Sequence, residues 1–187
     1  MSDCSRVYMD MLNCTSDEEV YAKVRQLAGN LTDREQTVLS VILKIHASVE
    51  DQLRQVLRLT LHPQLFLTDD EIENEKTEMR FSKMIDKLGF RDMQRLLEPA
   101  LSSWPYPELC DISEINTTRN QAAHARNTSK VSYKGRNPFT DADCLAQMFV
   151  DAFAFRAAMR KFVDHAVTRQ EIILKRYTER YGTDLCL

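Results

Sequence analysis

The sequence predicts an all-α protein, a bundle of five to six helices with up-and-down connections. Three observations carry this. Apolar residues recur three and four positions apart along most of the chain, and no stretch alternates with the period of a strand. Helix-opening patterns punctuate it, with Thr32 ahead of Glu35, Thr68 ahead of Glu71 and Thr140 ahead of Asp143. The 187 residues include only 4 Gly and 5 Pro, too few for a turn-rich β architecture.

Each element follows from local chemistry. Ser16 offers an N-cap for an amphipathic helix over residues 17–28. In "LTDREQTVLSVILKIHASVEDQLRQVLRLTLHP", Thr32 and Glu35 form a capping box. Val38, Ile42, Ile45, Val49, Leu53, Val56 and Leu57 then recur at helical spacing, and Pro63 ends the run. Thr68 and Glu71 open the next helix, which continues through "FSKMIDKLGF" to a C-terminal stop at Gly89. A further helix runs from about Asp92 to Leu101, before "SSWPYP" breaks the chain. The next is expected from about Pro107 to Arg126. A polar, mobile loop follows, "NTSKVSYKGRNPF", and Thr140 and Asp143 cap a last helical stretch to Tyr181. No internal repeat is evident.

Composition narrows the function. Hydrophobic residues make up 43% and charged residues 28%, which suits a soluble globular chain forming one domain over residues 1–187. With a net charge of -3, the whole molecule cannot grip nucleic acid electrostatically, and such binding needs a local patch. Cys4, Cys14, Cys110, Cys144 and Cys186 are odd in number and scattered, which reads as reduced thiols in a cytoplasmic protein. His46, His62, His124 and His165 show no metal-ligand spacing, so neither a metal site nor a cofactor is expected. No signal peptide or membrane span is seen. The N-x-S/T triplets at Asn13, Asn30, Asn116 and Asn127 are read as chance.

Within the helix expected before the basic loop stands "RNQAAH", Arg119 to His124. At about 100° per residue, Leu109, Ile112, Ile115, Ala122 and Ala123 share one apolar arc, and Arg119 falls in its middle. A guanidinium on a core-facing arc is costly unless it is paired or opens into a polar cleft. Asn116, Asn120 and His124 form a second stripe beside it, with Asn120 and His124 close enough to hydrogen-bond. Small residues at 122 and 123 permit close approach of a helix or a substrate, and histidine serves as general acid or base near neutral pH.

From Thr118 to Asn137 the basic residues Arg119, Arg126, Lys130, Lys134 and Arg136 occur without any Asp or Glu. Tyr133 lies among them as a candidate for base stacking. The run fits a path for single-stranded nucleic acid, and it fits equally a solvated loop with chance charges. The same Arg–His spacing recurs at "RKFVDH", Arg160 to His165, where bulky Phe162 and Val163 intervene and Asp164 precedes the histidine. That pair reads as the outer face of a structural helix.

"RNQAAH" resembles the motif of the HEPN superfamily, R-x(4–6)-H with a polar residue, often Asn, after the arginine. "KIHASVEDQLRQVL" resembles the family's early helix, and "FSKMIDKLGF" the segment before the motif helix. The overall arrangement is similar to the mannitol-repressor-like members. The resemblance implies a homodimer whose motif helices face each other, and a metal-independent endoribonuclease leaving 2′,3′-cyclic phosphate and 5′-hydroxyl ends. It implies His124 in acid–base chemistry, Arg119 on the scissile phosphate and Asn120 orienting His124 or substrate. Arg126 and Glu50 are candidate supporting residues, and Lys130, Tyr133, Lys134 and Arg136 candidate RNA contacts. Some members paired with nucleotidyltransferase antitoxins carry a tyrosine two residues after the histidine. Here that position is Arg126, which argues against that mode of control.

Two function classes remain open at this stage. One is a toxin or defence nuclease acting on tRNA or mRNA, with an antitoxin or regulatory protein as partner. The other is a non-catalytic regulatory or protein-binding module. A plain bundle with a coincidental motif is a third reading, and Glu50 reads equally as a solvent-facing charge.

Overall fold

Helices in this chain begin where a side chain or carbonyl can receive the unpaired N–H groups of a first turn. The computed structural model describes residues 3–28, 34–60, 71–101 and 112–181. These contain seven α-helices: α1 (Asp3–Leu12), α2 (Asp17–Ala28), α3 (Arg34–Thr60), α4 (Glu71–Asp86), α5 (Phe90–Leu101), α6 (Ile112–His124) and α7 (Ala142–Tyr181). Among the described residues there is no strand, so the all-α class holds. The seventh helix is α1, absent from the sequence reading, which buries Met11 and sets Tyr8 edge-on against Phe149 at 5.8 Å between ring centroids. Among the described residues no helix is long and apolar enough to cross a membrane.

Of four helix ends, one is as expected and three differ. Ser16 caps α2 as predicted, its Oγ accepting from the Glu19 N–H at 3.3 Å. Glu35, in contrast, accepts from the hydroxyl of Thr128 rather than serving only its own helix end; Thr32, its expected capping partner, lies outside the described residues, as do Pro63, Thr68, Pro107 and Leu109. Gly89 does not stop α4, which ends at Asp86. The Gly89 carbonyl accepts from Asp92 N at 3.0 Å and Met93 N at 3.1 Å, so it starts α5. Its φ is not left-handed, the conformation a glycine stop would exploit. At α7 the cap is Asp141, whose Oδ1 accepts from Asp143 N at 2.9 Å and Cys144 N at 3.2 Å. Thr140 and Asp143, the expected pair, flank it.

The segment read as a mobile loop is tied down. Asn127 caps a 3-10 turn over Thr128–Lys130. A two-residue turn follows, in which Tyr133 and Arg136 exchange backbone hydrogen bonds of 2.8 and 3.0 Å. Lys134 (φ 49) and Gly135 (φ 76) supply the left-handed pair that such a turn requires. The turn is pinned to α6 by three bonds: Lys134 N to Glu114 Oε2 (2.9 Å), Ser132 N to Gln121 Oε1 (2.9 Å) and the Thr118 hydroxyl to Ser132 O (2.7 Å).

The chain groups into two compact units. The first comprises Met1–Glu50 and Tyr106–Arg156, the second Asp51–Pro105 and Ala157–Leu187. Both divisions fall inside helices, α3 and α7, so no linker composition marks them. In the first unit the core gathers Ile42, Ile45, Ile115, Met148 and Phe155. In the second, Leu53, Leu57, Ile85, Met93 and Met159 are buried.

Candidate active site

Helix α6 lies in the first unit, and its buried residues are Ile112, Ile115, Asn116, Thr118 and Ala122. Arg119 sits inside the arc these define yet is only half-buried. Its Nη1 donates to Asn120 Oδ1 at 2.8 Å, which satisfies part of the guanidinium and leaves other N–H groups of its five. Asn120 is therefore bonded to Arg119, where the sequence pointed to His124. His124 is the last residue of α6 and is exposed, as is Ala123, which was expected to face the core.

The polar stripe thus rises out of the protein along its length. Asn116 is buried, Asn120 is half-buried and His124 is exposed. At the buried end, Asn116 Oδ1 lies 3.1 Å from Nε2 of His46, itself 5% exposed. An amide oxygen only accepts, so Nε2 carries the hydrogen. Nδ1 of His46 lies 3.7 Å from Glu50 Oε2, an i,i+4 pair on α3. Glu50, a candidate supporting acid for the motif, therefore faces His46. Sequence reasoning missed this trio, of which His46 and Asn116 are buried and Glu50 is half-buried. The signal was there, since His46 lies four residues after Ile42 and three before Val49, on the apolar stripe of α3.

The basic segment changes character in three dimensions. Tyr133, proposed to stack on a base, is 1% exposed, and its hydroxyl donates to Asp151 Oδ2 at 2.6 Å. It is a core residue. Lys134 Nζ pairs with the same carboxylate oxygen at 2.9 Å, and Arg136 Nη1 with Asp141 Oδ2 at 3.2 Å. The stretch without acids in sequence thus receives Asp151 and Asp141 from its C-terminal side and Glu114 and Glu35 from its N-terminal side. Arg126 and Lys130 are exposed and form no ion pair with a described residue. Among the described residues, no three His, Cys, Asp or Glu side chains gather to hold a metal ion.

The second match, on α7 in the other unit, has Arg160 and His165 exposed and Phe162 buried at 7%, as an amphipathic helix requires. No family model, no curated protein and no solved structure matches the chain.

Proposed function

We propose that the protein is a metal-independent endoribonuclease of HEPN type, acting through Arg119, Asn120 and His124. The observation that carries this reading is the placement of Arg119. A guanidinium on the buried arc of α6 is half-withdrawn from solvent and held by Asn120, which stands one turn before an exposed histidine. In such a setting the remaining N–H groups of Arg119 bind a non-bridging phosphate oxygen and stabilise the charge that grows there. His124 takes the proton from the ribose 2′-hydroxyl, whose oxygen attacks phosphorus. The bond to the 5′-oxygen breaks, and that oxygen leaves protonated. A 2′,3′-cyclic phosphate and a 5′-hydroxyl result. Asn120, bonded to Arg119, is a positioning residue in this scheme. A second copy of the chain would bring a second histidine, so that acid and base are separate groups.

A second reading has its own observation. The cations of the hairpin are paired with acids and Tyr133 is core, which suits a HEPN-like regulatory or protein-binding module. The deciding experiment incubates the purified protein with tRNA and with a generic single-stranded RNA in EDTA, alongside His124→Ala and His165→Ala. Cleavage leaving cyclic phosphate, lost in the first variant and kept in the second, is the expected result. Intact RNA with all three proteins folded supports the regulatory module.

A further inference from the structure

We propose that the RNA strand leaves the Arg119–His124 site over Arg126 and Lys130 and does not cross the hairpin that carries Lys134 and Arg136. This rests on the endoribonuclease reading above. The argument is about which acids can move. Asp151 holds Lys134, but it is committed elsewhere as well. It accepts the Tyr133 hydroxyl at 2.6 Å and the Gln147 amide at 2.9 Å, and its side chain is 16% exposed. Asp141 holds Arg136 while its other oxygen caps α7. Both carboxylates are thus pinned by duties a passing phosphate does not relieve. Their charge is a fixed part of the surface, and each cation beside them offers a phosphate a near-neutral pair instead of a net positive charge.

Arg126 and Lys130 differ. Both are exposed, they stand shortly after His124 in the chain, and neither is paired with an acid among the described residues. Arg126 lies between the end of α6 at His124 and the 3-10 turn, and Lys130 is the last residue of that turn. Glu35, which takes the hydroxyl of Thr128, marks the edge of this patch. The partner that fits is a single strand held by a few phosphates flanking the scissile one.

Salt dependence reads this directly, because each phosphate contact to a single strand adds about 0.7 to the slope of log K against log salt. The full chain carrying His124→Ala, which cannot cleave, is titrated with a fluorescent single-stranded RNA at several KCl concentrations. Lys130→Gln, Arg126→Gln, Lys134→Asn and Arg136→Gln are added singly. Asparagine at 134 suits the left-handed turn position. The first two substitutions are expected to flatten the slope by about 0.7 for each copy in contact, and the last two to leave it unchanged. Flattening by Lys134→Asn or Arg136→Gln as large as that from Lys130→Gln overturns the proposed path while leaving the nuclease reading intact. Absence of RNA binding in every variant, together with intact RNA in the wild-type incubation, overturns both.

Discussion

Nε2 of His46 lies 3.1 Å from Oδ1 of Asn116, joining α3 to α6 at the buried end of the polar stripe that ends in His124. Removing the amide leaves a buried N–H without its acceptor, and an unsatisfied buried donor costs about 1–3 kcal/mol. Asn116→Ala is therefore expected to lose about that much stability in urea titration. His46→Leu combined with Asn116→Leu, which removes both polar partners, is expected to lose less than the sum of the two single changes. Additive losses would mean that the two side chains do not interact.

If the protein cleaves RNA as proposed, the Arg119–Asn120 bond makes a prediction about its rate. A hydrogen bond to a charged group contributes about 1.5–3 kcal/mol, so Asn120→Ala should lower kcat/KM for RNA cleavage by about ten- to a hundredfold. Arg119→Ala should cost more, because under the proposed mechanism it removes the phosphate-binding group itself. A positioning role also predicts that Asn120→Asp retains more activity than Asn120→Ala, since aspartate keeps an acceptor for the guanidinium. Equal loss in the two variants would assign Asn120 a different role.

The helices were legible because their determinants are local. The apolar stripe of α3, the Ser16 cap of α2 and the scarcity of glycine and proline all act within a few residues. The placement of Arg119 on the buried arc of α6 follows from its spacing to Ile112 and Ile115. What stayed hidden depends on which helices meet. The basic stretch looks free of acids because Asp151, Asp141, Glu114 and Glu35 lie before or after it in sequence and reach it only through the fold. The buried place of Tyr133 follows from the turn at Lys134 and Gly135, a pair less distinctive than Asn-Gly. The two units escape notice because their divisions run through helices α3 and α7.

Acid should weaken the start of α2 in a defined direction. The backbone N–H of Thr15, and then its hydroxyl, donate to Glu19 and hold that carboxyl below its ordinary value of 4.5. A depressed folded pKa means that the unfolded chain binds more protons, so the contribution is fully present above about pH 4.5 and is lost as pH falls through the folded value. The Arg25 side chain depresses Asp143 in the same way. Melting temperature should therefore decline on acidification below that range. Glu19→Gln should show a shallower decline, and an identical pH profile would remove Glu19 from the account.

Cys144 predicts the opposite limb. Its buried thiol donates to the carbonyls of Arg136 at 3.4 Å and Tyr133 at 3.6 Å, beneath the turn that carries both. Burial, above all, pushes its pKa from 9.0 up to about 11. The folded protein thus holds the proton more tightly than the unfolded chain does. The stability this contributes is complete below pH 9.0 and is lost as pH rises toward about 11. Thiolate is also the form that alkylates. In a native iodoacetamide time course read by peptide mass spectrometry, Cys144 should label far more slowly than the half-buried Cys14. Brief exposure to denaturant should abolish the difference. Rapid native labelling of Cys144 would show that the turn over it opens readily, and that its bonds to α6 do not hold it closed.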